Sequence, residues 1–125
     1  MTSSPKVPVL CAGDTLTRDE FERRYEEMPD VKKAELLEGV VFMPSPVRDT
    51  HHGRPHALLT KWLNAYEDST PDVAFSVDSS LRLDMDNEPQ PDLMLRITRT
   101  HGSSRVDADG YVQGPPELVV EVAAS

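Results

Sequence analysis

The sequence has one cysteine, one tryptophan and no long apolar run. Cys11 has no second cysteine with which to pair, so an internal disulfide is excluded and a reducing compartment is expected. A membrane-spanning helix needs roughly 20 consecutive apolar residues, and no segment approaches that length. The N-terminal segment is a poor signal peptide, because Pro8 interrupts its short apolar patch. We therefore expect a soluble cytoplasmic protein without a membrane partner.

Basic residues are also scarce. The chain has 13 lysines and arginines against 22 aspartates and glutamates, which gives a formal net charge of −9. A broad basic surface for nucleic acid is therefore not expected, since such binding depends largely on phosphate neutralisation. A local site is still compatible with this charge, because a metal-dependent nuclease needs clustered carboxylates. The length of 125 residues is that of one domain with its own core.

Hydrophobic patterning predicts an α+β chain with a helix, a hairpin, a second helix and at least three more strands. Residues 1–14 are expected to form a flexible arm, and residues 15–125 the domain. The first helix begins at a capping box formed by Thr17 and Glu20. Pro29 ends that helix.

The hairpin and the second helix follow directly. Gly39 suits a tight turn between short strands at residues 34–38 and 40–43. Residues 50–69 carry leucine, tryptophan and tyrosine at helical spacing, and this pattern predicts the second helix. Pro55 fits the first turn of that helix, where its missing amide costs nothing.

The remaining chain alternates between apolar strands and polar connections. Strands are predicted at residues 73–77, 80–85, 92–97 and 117–122. The polar, glycine-rich segment 98–116 is predicted to be a long loop.

Two carboxylates occupy positions where strands rarely have them. Asp92 follows Pro91 at the start of an apolar strand, and Glu121 lies within an apolar run. A buried carboxylate without a partner costs several kcal/mol or changes its protonation state. If the two strands pair, Asp92 and Glu121 bring oxygens to one point, as a Mg²⁺ site requires.

Structural roles for these residues stay open at this point. Asp92 alone is typical of a turn or a strand start. Glu121 alone can pair with an arginine such as Arg96 or Arg82. Glu35 would ordinarily lie on the surface of the hairpin.

Other metal and catalytic motifs fit poorly. His51, His52 and His56 suggest zinc, but no glutamate lies between the last two as in the H-E-x-x-H pattern, so zinc is not expected. The acidic segment 84–88 lacks the ligand spacing and the glycine of an EF-hand loop. The sequence contains no nucleophile motif and no phosphate-binding glycine loop.

Four stretches, in their order along the chain, resemble the Uma-type putative restriction endonuclease family of the PD-(D/E)XK nuclease superfamily. They are AELLEGVVFMPSP, HHGRPHALLTKWL, RLDMDNEPQPDLML and PELVVEVAAS. The resemblance covers residues 15–125. It implies a restriction-endonuclease-like mixed sheet flanked by helices, with the active site at the edge of the sheet.

The resemblance also implies a reaction and its residues. Asp92, in the Pro-Asp element, and Glu121 correspond to metal ligands, and Glu35 of the hairpin completes the catalytic acidic cluster. The implied reaction is hydrolysis of a DNA phosphodiester, with Mg²⁺ or Mn²⁺ as the cofactor. DNA is then the expected substrate.

The chain departs from the family pattern at the lysine. That position is Ala123, and in this family the lysine commonly lies on a later helix, beyond Ser125. Lys61 belongs to the wrong helix, so no lysine is expected to substitute. We therefore expect the C-terminal part of the fold to be missing, with the apolar row of the last strand open to homo-oligomers or other partners.

Three interpretations follow from this departure. The first is a DNA endonuclease fold in which cleavage by this chain alone is not expected. The second is a non-catalytic remnant that acts as a protein interaction or binding module. The third is a fragment without an independent function.

Overall fold

A computed structural model describes residues 7–44 and 52–123 of the chain. Its elements, in chain order, are helix α1 (Arg18–Glu26), strands β1 (Glu35–Leu37) and β2 (Val40–Phe42), helix α2 (Arg54–Ser69), and strands β3 (Val73–Val77), β4 (Leu81–Arg82), β5 (Leu93–Ile97), β6 (Arg105–Val106), β7 (Val112–Gln113) and β8 (Leu118–Val120). The α+β class predicted from the sequence is confirmed. Neither described helix is long and apolar enough to cross a membrane.

The strands form three small sheets. Strands β1 and β2 form a hairpin, β5 lies between β3 and β8, and β7 lies between β4 and β6. All pairs are antiparallel except β4 with β7, which makes the third sheet mixed.

Two sequence predictions need correction in this region. The segment 98–116 is not one long loop, because β6 and β7 lie within it. The strand predicted at 80–85 ends at Arg82, since Asp84 and Asn87 pair with each other across a turn. Strands of two residues are too short to show an alternating pattern.

Helix α1 and the hairpin share the first core. Leu10, from the predicted arm, is buried there with Phe21 and Leu36. Thr17 Oγ1 caps the helix by accepting the Glu20 amide N–H. The Glu20 carboxylate does not complete the predicted capping box, because it accepts hydrogen bonds from two arginines on its own helix, Arg23 and Arg24.

The predicted hairpin turn is confirmed at Gly39. Glu38 and Gly39 both have positive φ angles, of 53° and 77°. Two such residues in succession are typical of a type I′ turn, whose twist matches that of paired strands.

Helix α2 covers one face of the β3-β5-β8 sheet. Leu63 of the helix is buried against Leu93 and Leu95 of β5. Met94 points to the other face and packs with Leu81 of the third sheet. Strand β5 is therefore packed on both faces and lies between β3 and β8, and Asp92 directly precedes it.

Candidate active site

Asp92 and Glu121 lie side by side across paired strands. Leu93 of β5 is opposite Val120 of β8, so the next step of this antiparallel register brings Asp92 opposite Glu121. The Val122 amide N–H donates to Asp92 Oδ2 at 2.7 Å, which continues the pairing past the strand ends. The strand pairing on which the predicted metal site depends is therefore present.

Asp92 is only 2% exposed. Its other oxygen, Oδ1, accepts a hydrogen bond from Lys33 Nζ at 3.2 Å. A carboxylate removed from water needs such a partner, because desolvation of an uncompensated charge costs several kcal/mol. Asp92 is therefore held by the Lys33 ammonium and the Val122 backbone amide, directly before the first residue of β5.

Lys33 also reaches Glu121. Its Nζ lies 3.7 Å from Glu121 Oε2, so one ammonium bridges both carboxylates. Burial acts to lower the pKa of Lys33, but Glu121, Asp92 and Glu35 together raise the pKa above its ordinary value. The group is therefore cationic at neutral pH.

The sequence indicated no lysine for this place, but the structure brings Lys33 beside both carboxylates. Lys33 lies just before β1, far along the chain from the E-x-K spacing in which a motif lysine is sought. Its position two residues before Glu35, directly before the hairpin segment of the family resemblance, is the one signal that the sequence offered.

Glu121 and Glu35 complete the acidic group around Lys33. Burial raises the pKa of Glu121, Lys33 opposes the rise, and Asp92 and Glu35 add to it. The Glu121 side chain remains 55% exposed, so it is the open member of the group. Glu35 Oε2 accepts the Gln90 amide N–H at 2.7 Å, which fixes the hairpin to the segment before β5.

Two histidines approach Asp92 from α2 and the residues before it. His52 Nε2 lies 3.8 Å from Asp92 Oδ1, and the His52 and His56 rings stack with their centroids 5.5 Å apart. One possible ligand atom from each of His52, His56 and Asp92 lies within 4.8 Å of the other two. The sequence analysis did not expect zinc, because the H-E-x-x-H glutamate is absent. That motif depends on spacing along the chain, so it does not detect ligands that folding brings together. His51 lies outside the described residues.

The donor set fits a divalent cation. Carboxylate oxygens are the preferred ligands of Mg²⁺, whereas imidazole nitrogens suit metals such as zinc.

Arg82, which the sequence offered as an alternative partner for Glu121, does not pair with it in the structure. Both Nε and Nη2 of Arg82 donate to Glu22 at 2.8 Å.

Arg82 is the centre of a second charged cluster. Beyond Glu22, its Nη1 donates to Asp107 and to Asp109, each at 2.9 Å, and its guanidinium lies 3.8 Å from the centre of the Tyr111 ring. The arginine therefore joins α1 to β4 and to the β6–β7 turn.

Glu88 is buried beside this cluster. Burial, with the neighbouring Glu22 carboxylate, raises the pKa of Glu88, and Arg82 only partly opposes the rise. Glu22 itself has a lowered pKa: burial acts to raise it, but Arg82 and Glu88 outweigh that effect. Glu88 therefore carries a proton at neutral pH, while Glu22 is ionised.

The sequence also resembles a known protein family over most of its length. A family model, Uma2, described as a putative restriction endonuclease, matches residues 18–125. A search of curated proteins returned no match. The matched range includes Asp92, Glu121, Glu35, Lys33 and both described histidines.

Proposed function

The chain belongs to the Uma2 family of putative restriction endonucleases, and from this premise we propose that it is a metal-dependent endonuclease that hydrolyses DNA. Asp92 and Glu121 would hold the Mg²⁺ or Mn²⁺ ion, with Glu35 nearby. The ion, when bound, supplies an acidified water and charge stabilisation at the phosphate. The observation that carries the proposal is the bridge from Lys33 to both carboxylates.

Lys33 would supply the positive charge of the motif lysine, whose position in this chain is Ala123. An ammonium has three N–H donors. One donates to Asp92 at 3.2 Å, and Glu121 lies in ion-pair range at 3.7 Å. The ammonium can therefore also orient water or bind a phosphate oxygen. A cation placed where negative charge develops lowers the barrier of phosphodiester hydrolysis.

A cluster of arginines supports DNA as the substrate despite the net charge of −9. Arg96, Arg99 and Arg105 line one cleft together with serine and threonine hydroxyls. Arg96 shares a strand face with Asp92, about 13 Å away at the usual rise of a β-strand. Arg99 is paired with Asp72 at 2.6 Å. Arg96 and Arg105 therefore offer the local positive charge for the DNA backbone, on the side of the sheet where Asp92 lies.

Cleavage of supercoiled plasmid tests the proposal. Because Lys33 supplies a cation at the carboxylates, wild-type protein is now expected, contrary to the expectation from the sequence motif, to nick plasmid with Mg²⁺ or Mn²⁺. Asp92→Asn is expected to lose this activity while it remains folded by circular dichroism. Asp86→Asn, at an exposed position, is the matched control. Equal cleavage by the wild type and Asp92→Asn, or no cleavage by wild type at any divalent metal concentration, would refute the proposal.

The alternative is a non-catalytic interaction module, which one feature favours. Among the described residues, β8 pairs on one side only, and Leu118 and Val119 are 43% and 48% exposed. Apolar edge strands of this kind associate readily. This function would be favoured if light scattering shows a stable oligomer that the Val119→Lys substitution dissociates, and if the protein does not cleave DNA.

A further inference from the structure

We propose that His52, His56 and Asp92 form a binding site for a borderline transition-metal ion of the class of Zn²⁺, Co²⁺ or Ni²⁺. Two imidazoles and one carboxylate are a donor set that such ions accept more readily than Mg²⁺ does. The inference rests on the proposed function in one respect, since Asp92 serves as a metal ligand in both. It does not require that the protein cleave DNA.

The contact of His52 with the backbone frees the nitrogen that faces Asp92. His52 Nδ1 lies 3.1 Å from the Val122 carbonyl oxygen. A carbonyl can only accept, so Nδ1 carries the proton and Nε2 keeps its lone pair. That lone pair lies 3.8 Å from Asp92 Oδ1. At metal sites, the ring nitrogen of a ligand histidine that does not bind the metal usually donates to a carboxylate, a backbone carbonyl or water.

His56 has the same tautomer through a different partner. Thr60 Oγ1 donates its proton to the His56 carbonyl oxygen at 2.8 Å. The hydroxyl oxygen is then left to accept from His56 Nδ1, at 3.4 Å. Nε2 is again the free nitrogen, and it lies 4.0 Å from Asp78 Oδ1, which adds negative charge beside the site.

The three atoms are close enough for one ion. Points no more than 4.8 Å apart all lie within about 2.8 Å of a common centre, and zinc–nitrogen bonds are about 2.0–2.1 Å long. An inward movement of about 0.7 Å per atom therefore closes the site, which small side-chain rotations supply.

Lys33 limits the affinity of this site. Its Nζ lies 3.2 Å from Asp92 Oδ1, the same oxygen that faces His52. A metal ion must share or displace that contact against the charge of the ammonium. Lys33→Gln is therefore expected to tighten binding of the ion, whereas a histidine substitution weakens it.

Titration of the metal-free full chain with Co²⁺ tests the proposal, because visible absorption reports the coordinating atoms independently of activity. Wild-type protein is expected to bind one Co²⁺, and His56→Ala to bind it about tenfold more weakly or worse. His101→Ala, at an exposed loop position, is the matched control. His52→Asn and His56→Gln, checked by thermal melting, guard against a folding defect.

The outcomes separate this site from the nuclease proposal. Co²⁺ affinity within twofold of wild type in both His52→Asn and His56→Gln would overturn the site, even if DNA is cleaved with Mg²⁺. Co²⁺ binding that depends on both histidines, in protein that cleaves no DNA, would support the site and refute the nuclease. Isothermal titration with Mg²⁺ should be unaffected by His56→Ala, and a loss equal to that for Co²⁺ would count against the preference for borderline metals.

Discussion

Lys33 and Asp92 form an ion pair in which the lysine Nζ lies 3.2 Å from Oδ1 of a carboxylate that is almost wholly buried. The two residues lie in different parts of the fold, since Lys33 precedes the hairpin and Asp92 precedes the central strand β5. Their contact brings a fixed positive charge to the carboxylates that the sequence identified.

Replacement of Lys33 by glutamine is expected to separate catalysis from metal binding. Loss of the ammonium should lower the rate of plasmid cleavage by about 100-fold or more. Affinity for a divalent cation should rise or stay constant, because a repelling charge is removed from Asp92 and Glu121. Cleavage kinetics and calorimetric titration measure the two quantities.

Lys32→Gln is the matched control for that experiment, because Lys32 is adjacent and exposed. It should leave both quantities unchanged. A Lys33→Gln variant that cleaves at the wild-type rate would show that the ammonium only balances charge.

The buried Glu88 predicts a fall in stability as pH rises. Its folded pKa is raised from 4.5 to about 9, by burial first and then by Glu22. Between these values the folded state binds a proton that the unfolded state releases, so the free energy of unfolding decreases with pH, by at most about 1.4 kcal/mol per unit. Glu22, whose folded pKa is lowered from 4.5, is ionised in both states well above pH 4.5 and adds no slope there.

Glu88→Gln is expected to flatten this dependence, because the amide cannot lose a proton. Urea unfolding at several pH values from 5 to 9 measures the slope of stability against pH. Glu27→Gln, at an exposed position on the end of α1, should retain the wild-type slope. An identical slope in Glu88→Gln and wild type would mean that Glu88 does not carry the proton.

Arg82→Gln is expected to cost about 3–5 kcal/mol of folding stability. The substitution leaves Glu22 and Asp107, both largely buried, without their cation. Chemical denaturation measures the loss, and exposed Arg54→Gln is the control. A loss below 1 kcal/mol would show that water replaces the arginine in this cluster.

The arginine cleft makes a prediction about DNA affinity. Arg96→Ala and Arg105→Ala should each weaken binding of duplex DNA in Ca²⁺, and each should reduce the salt dependence of binding by about one ion. Fluorescence anisotropy over a salt series measures both effects. Arg23→Ala, on the exposed face of α1, should change neither, and an equal effect there would remove the cleft from the DNA interface.

The acidic part of the site was accessible from the sequence. Asp92 and Glu121 lie next to apolar strand residues, where charged side chains are uncommon and therefore conspicuous. The predicted strand at 92–97 is present as β5, with Leu93 and Met94 in different core clusters. These inferences needed only local pattern and one strand pairing.

Lys33, His52 and His56 were not accessible in the same way. Each reaches Asp92 through tertiary packing of a hairpin or a helix, and no spacing in the sequence encodes such an approach. Strands β6 and β7 were missed for a different reason, because two residues are too few to establish a period.

One pair of backbone hydrogen bonds has a consequence for the dynamics of the site. Leu36 and Glu88 exchange them, with the Leu36 N–H donating at 3.1 Å and the Glu88 N–H at 2.7 Å. They attach the β1–β2 hairpin, directly before which Lys33 lies, to the segment that precedes β5. If the hairpin opens as a local unit, the ammonium departs while the carboxylates on the sheet stay in place. Hydrogen exchange at these two amides would therefore measure the fraction of molecules in which the site is assembled.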